Sequence, residues 1–402
     1  MLATLRFQVG LLSLMQALLL TNNVTLIAVN GLAGLQLADN KLLATLPVTG
    51  YVLGGAVWSM PAAAFMRRLG RRAGYTVGSL VAMLGAVLAW HAMTLGSLAL
   101  LCAATFVCGL YNAFGASLRF AAADVADAYR PDFKARAISL VLTGGIAGGV
   151  IGPEISKWSR EWLPAQFAGT YLTLVGFAFA SLLLAQLLRL PAATKSDGGG
   201  IARPLAEILR QPACWVAIVC AALSYGVMNL LMVATPLAMQ VCSHPYASAA
   251  LVIEWHVIGM FAPGLVTGSL IGRFGVLPII VVGCLLMLGC VAIALSGVEL
   301  MHFVAALILL GVGWNFMYTG ATALLTSAYR SAEKNKVQGF MDLCVFTTMI
   351  TSSASSGALL FVNGWSILNL LSLPFVLLVL GAVIWLAGRN GWALGRTQPA
   401  VS

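Results

Sequence analysis

The chain has 402 residues, of which 60% are apolar and only 8% charged, against about a quarter charged in a soluble domain whose surface faces water. Its formal charge of +10 does not describe a nucleic-acid-binding face, because the basic residues sit in short loops between apolar runs. A secreted disulfide framework is excluded on similar grounds, since Cys102, Cys108, Cys220, Cys284, Cys290 and Cys344 all lie inside apolar runs.

Stretches long enough to cross a bilayer, about 20 apolar residues each, recur along the whole chain. The sequence predicts spans near 7–33, 42–65, 73–93, 97–122, 138–156, 166–190, 212–241, 247–271, 275–297, 300–325, 338–362 and 365–388. The first run lacks a small-residue cleavage site and reads as a span rather than a cleaved signal. The run from Val276 to Leu295 does not alternate apolar and polar residues, which excludes the strands of a lipid-facing barrel. The expected fold is therefore an all-α membrane protein of twelve transmembrane helices. An even count puts both termini on one side. Of the 22 lysines and arginines, only Lys41, Lys157 and Arg160 then fall on the opposite face, so the termini are expected to be cytoplasmic.

One segment has linker composition: residues 191–211, with a proline, a glycine triplet and mixed charge. It divides the chain into an N-terminal six-helix bundle (1–190) and a C-terminal one (212–402). The halves repeat. Ala128-Tyr129-Arg130 with Lys134 and Arg136 returns 200 residues later as Ala328-Tyr329-Arg330 with Lys334 and Lys336. Arg68-Leu69-Gly70 likewise matches Arg273-Phe274-Gly275.

The loop after the second span reads Arg67-Arg68-Leu69-Gly70-Arg71-Arg72. It resembles the G-x-x-x-D-R-x-G-R-R signature of major facilitator transporters, and Arg68, Gly70, Arg71 and Arg72 match. Ala63 stands at the first glycine and Arg67 at the aspartate, which puts a charge relay through that aspartate in doubt. The resemblance implies the major facilitator fold, two pseudo-symmetric bundles with a substrate site near the midplane, and a gating role for Arg67, Arg68, Gly70, Arg71 and Arg72. Gly148-x-x-x-Gly152-Pro153 in the fifth span reads as close helix packing.

In the seventh span Met228 and Met232 lie one turn apart, and in the eighth His256 and Met260 have the same spacing. At roughly 1.5 Å per residue from the span centres, Met228 is close in depth to His256 and Met260. Thioethers with an imidazole suit Cu(I) better than oxygen-seeking cations. Each pair by itself also fits ordinary core filling. M-x-x-x-M followed by H-x-x-x-M in these spans resembles the CcoA-like copper importers of the bacterial inner membrane. That resemblance implies copper import by alternating access for cytochrome oxidase assembly, with hand-off to cytoplasmic copper chaperones or exporters.

Cys220 and Cys242 flank the cluster, about 33 Å apart on one helix, and read either as auxiliary metal ligands along the path or as small buried hydrophobes. Glu254, Asp342 and Glu154 read as coupling acids or as structural partners. No bound cofactor, enzymatic chemistry or nucleic-acid partner is expected, and the chain is expected to be a monomer in the lipid bilayer. No nucleotide-binding P-loop run is present. Two other functions are compatible with the sequence: a proton-coupled exporter of drugs or small metabolites, and a non-transporting receptor or assembly factor.

Overall fold

The computed structural model describes residues 2–130, 133–190, 203–330 and 333–392. Residues 191–202, most of the expected linker, lie outside the described residues. The helices in chain order are α1 (Leu2–Leu37), α2 (Leu46–Leu95), α3 (Leu98–Gly115), α4 (Leu118–Tyr129), α5 (Lys134–Ser159), α6 (Ala168–Leu187), α7 (Leu205–Leu209), α8 (Pro212–Val241), α9 (Tyr246–Phe261), α10 (Gly264–Phe274), α11 (Val276–Ser296), α12 (Leu300–Thr326) and α13 (Lys334–Asn390). Ten helical stretches among the described residues are long and apolar enough to cross a membrane. Two of them, Lys41–Leu95 and Lys336–Asn390, run to 55 residues each, or about 80 Å, far beyond a hydrocarbon core of about 30 Å. Each is long enough for two crossings on either side of its break, which makes twelve spans among the described residues.

Both long helices turn at a single glycine. Gly70 (φ 85°) breaks α2 and Gly364 (φ 79°) breaks α13, a left-handed conformation that residues with a Cβ resist. The sequence reads 66–72 as a loop, yet helix continues to Leu69 and resumes at Arg71. One residue without a side chain suffices to reverse the chain. Gly275 (φ 96°) does the same in the matching motif of the second half. Elsewhere the punctuation is local: Ser97 caps α3 by accepting from the Leu100 amide at 3.2 Å.

The fourth and eighth spans, read from sequence as continuous, are each broken. α3 gives way to α4 at Ala116–Ser117, and α9 to α10 at Ala262–Pro263. Proline accounts for the second break, since it lacks the amide that would close the turn.

The chain packs as two compact units. The first comprises Met1–Lys195, Val233–Ile258 and Ser353–Phe361, and the second Ser196–Met232, Gly259–Ser352 and Val362–Ser402. In the first unit α1 packs on α5, and α2 on α3 and α6. The α1–α5 seam is a register of glycines: a Cβ on Gly144 would lie 2.2 Å from the Ser13 carbonyl oxygen, and one on Gly148 2.4 Å from that of Ala17. Gly152 closes the row, with its carbonyl accepting from Thr25 Oγ1 at 3.1 Å. Between lipid-facing helices, such backbone approach supplies the dispersion that hydrophobicity cannot.

In the second unit the end of the linker is held by the repeated motif. Glu333, fully buried, accepts from Arg203 Nε at 2.7 Å and Nη2 at 2.8 Å, and from the amides of Arg203 and Arg330 at 3.0 and 2.9 Å. The Arg203 guanidinium first, and the Arg330 amide second, hold its carboxyl well below the usual carboxylate range. The equivalent position in the first half is Phe133, so this clasp belongs to one repeat only.

Two outcomes follow from these contacts. Gly148→Leu should lower the thermal unfolding midpoint in detergent, at a cost of about 1–3 kcal/mol from forced separation of α1 and α5. A carboxyl with a depressed native pKa contributes stability that is complete above its unfolded value and lost as pH falls toward the native value. The wild-type midpoint should therefore drop below about pH 4, and Glu333→Gln should start lower and lose that part of the acid dependence.

Candidate functional site

The described interior of the second unit contains a compact aromatic cluster. Trp314 and Tyr318 sit one turn apart on α12, a spacing that places both rings on one face. They stack with centroids 5.3 Å apart and planes 9° from parallel. Tyr225, near the middle of α8, meets both edge-on at 5.1 and 5.2 Å, each at 86°. Such pairs contribute about 0.5–1.5 kcal/mol each beyond area burial. Trp314 is only 7% exposed, and its indole Nε1–H has no hydrogen-bond partner among the described residues. An unmade bond of this kind costs about 1–3 kcal/mol.

Beside the cluster, Asn315 repairs the break in the eighth span. Its Nδ2 donates to the Met260 carbonyl at 2.7 Å, and its Oδ1 accepts from Thr267 Oγ1 at 2.7 Å. One side chain thus bridges α9 and α10. Asn229, one turn beyond Tyr225 on α8, donates to Ser352 Oγ at 2.8 Å and to the Met349 carbonyl at 3.2 Å, which ties α8 to α13.

The first unit has its own polar interior. Asn23 donates to Asn112 Oδ1 at 2.9 Å, and the Tyr171 hydroxyl donates to Asn30 at 2.7 Å. At the end opposite the termini, a cavity of about 210 Å³ is bordered by Gln36, Arg160, Gln240, His244 and Tyr246. The Tyr246 hydroxyl is 2.6 Å from Ser156 Oγ, its ring lies under the Arg160 guanidinium at 5.0 Å, and Phe167 meets it edge-on at 5.5 Å.

Met228, Met232, His256 and Met260 are all buried, at 1, 4, 0 and 7% exposure. His256 belongs to the first unit, whereas Met228, Met232 and Met260 belong to the second, so no single unit contains all four. Among the described residues, no group of three or more His, Cys, Asp or Glu is placed to hold a metal. Cys220 is buried, with its thiol 3.6 Å from the Met317 carbonyl, and Cys242 is half-buried at the end of α8. Glu254 is half-buried on α9 and Asp342 is exposed on α13, while Glu154 is exposed and paired with Lys157.

In the signature loop Arg67, Arg68 and Gly70 are exposed. Arg71 is the residue that is engaged: it contacts Asp124 through Nη2 at 2.7 Å and Nε at 3.0 Å, and the Ser117 carbonyl through Nη1 at 3.2 Å. It thereby holds the ends of the broken fourth span. Arg72 points elsewhere and contacts Gln186 at 3.2 Å.

Sequence reasoning passed over Tyr225, Trp314, Tyr318 and Asn315. The available signal was an Asn and aromatic groups with polar tips inside apolar spans, where polar groups are costly and usually functional.

A sequence profile of the Major Facilitator Superfamily matches residues 11–344. The chain belongs to this superfamily. Among similar members is the riboflavin transporter RfnT of Brucella anthropi, 39% identical over 382 residues, covering 94% of this chain and 95% of that one. An uncharacterised transporter of the same superfamily from Bacillus subtilis, YddS, is 28% identical, covering 89% of this chain and 86% of its own. A crystal structure of the nucleoside transporter NupG superposes with a TM-score of 0.75 at 12% identity, covering 95% of this chain and 99% of that one. That likeness confirms the major facilitator fold.

The Asn315 bridge is open to test. Asn315→Leu strands the Met260 carbonyl without a donor and should cost about 1–3 kcal/mol, read as a lower unfolding midpoint. Asn315→Asp should recover part of the loss through the bond from Thr267.

Proposed function

We propose that this major facilitator protein is a secondary transporter for an uncharged, flat heterocyclic metabolite of the riboflavin class. The observation that carries the reading is the cluster of Tyr225, Trp314 and Tyr318, with a buried indole N–H left to bond a ligand. A fused aromatic ring bearing carbonyl oxygens suits both features: the face stacks on the side chains and a carbonyl accepts from Trp314 Nε1. The identity to a riboflavin transporter over nearly the full length supports the same substrate class. It favours the small-metabolite reading over copper import, for which the buried Met228, Met232, His256 and Met260 speak.

The protein acts as a carrier rather than an enzyme, and its basic loops orient it in a bacterial inner membrane with cytoplasmic termini. Glu254 and Asp342 are the acids within spans that remain as candidates for proton coupling.

Proteoliposomes loaded with the purified protein test the reading by uptake of radiolabelled riboflavin. Trp314→Phe keeps an aromatic ring, though a smaller one, and removes the donor; it should raise KM at least about three- to tenfold, the worth of one neutral hydrogen bond. Trp314→Ala should raise it further. Absence of riboflavin flux, or indifference to both changes, would overturn the proposal. A parallel radiocopper assay separates the rival: copper flux abolished by Met228→Leu, which nearly conserves volume, would restore the metal reading.

A further inference from the structure

A second cavity, of about 550 Å³, opens in the first unit among the start of α1, the part of α2 beyond Gly70 and the end of α6. All three helix ends lie on the face that carries the termini. Two arginines line the cavity, Arg72 and Arg189, and among the described residues neither is paired with a carboxylate. Arg72 is steered by its bond to Gln186 Oε1 at 3.2 Å, and Gln186 is itself fixed by donating to Thr76 Oγ1 at 3.0 Å. The Arg189 backbone is held by Gln8, which is 1% exposed and accepts from its amide at 2.8 Å. The rim is apolar: Phe7 is 55% and Leu187 53% exposed.

We propose that this cavity binds the headgroup of an anionic glycerophospholipid, with the phosphodiester between Arg72 and Arg189 and an acyl chain along Phe7 and Leu187. The guanidinium fork matches phosphate oxygens in a bidentate manner, which ammonium cannot do. Two arginines that line one pocket and are paired with no carboxylate among the described residues suit a lipid headgroup, especially on a leaflet that carries anionic lipid. The exposed Phe7 and Leu187 decide between a lipid and a free anion. A dissolved phosphate would gain nothing from them, whereas an acyl chain covers apolar surface beside the charge.

Native mass spectrometry of the full chain, released from bilayer discs of phosphatidylcholine with or without phosphatidylglycerol, reads the site directly. The expected result is a retained phosphatidylglycerol adduct with little phosphatidylcholine. Each arginine near an anionic surface contributes about fivefold in affinity, so R72Q/R189Q should reduce the phosphatidylglycerol-to-phosphatidylcholine adduct ratio roughly 25-fold. A ratio taken within one sample does not depend on how much of the variant folds. R72K/R189K should fall between the two, because charge survives and the fork is lost. Equal retention of both lipids by the wild type, or an unchanged ratio in R72Q/R189Q, would overturn the proposal. So would displacement of phosphatidylglycerol by inorganic phosphate as readily as by a short-chain phosphatidylglycerol, which would mark a free-anion site.

Discussion

Inside a bilayer no water is present to complete a broken turn, so each backbone amide and carbonyl must find its partner within the protein. This constraint governs the structure wherever a helix is interrupted. The eighth span breaks at Pro263, and Asn315 then supplies the donor that the Met260 carbonyl lacks while accepting from Thr267 on the far side. The fourth span breaks at Ala116–Ser117, and Arg71 donates to the Ser117 carbonyl while pairing with Asp124. At these two breaks the irregular backbone is met by a side chain from another helix. Those side chains are the fixed points around which the interior is organised.

The repair at the eighth span also positions the aromatic cluster. Trp314 and Asn315 are neighbours on α12, and successive residues on a helix point about 100° apart. With Asn315 directed to α9 and α10, Trp314 is turned toward Tyr225 on α8, where the edge-on contact at 5.1 Å holds it. The helix bridge and the aromatic cluster are therefore built from adjacent residues.

Much of the architecture was legible because it depends on local properties. Apolar run length, the placement of arginines and the 200-residue repeat each need only the linear chain, and the left-handed Gly70 and Gly275 occupy matching places in the two motifs. The α1–α5 seam was half legible: Gly148 and Gly152 announce a close approach, but nothing in the spacing names Ala17 as the residue approached. The methionine and histidine pattern shows where local reasoning ends. Spacing of four assigns Met228 and Met232 to one face of a helix, and likewise His256 with Met260. It does not say which other side chains that face meets.

The sequence by itself determined that the chain resides in a membrane, how many times it crosses, and which loops face the side of the termini. Those outcomes follow from the transfer of each segment into lipid, a property of its own residues. Tertiary structure alone decided that Tyr225 joins Trp314 and Tyr318, and that Glu333 clasps Arg203 across 130 residues. Helix association in lipid is settled by the fit of small residues and by the few hydrogen bonds available across helices. Neither is written in the hydropathy that places each helix in the bilayer.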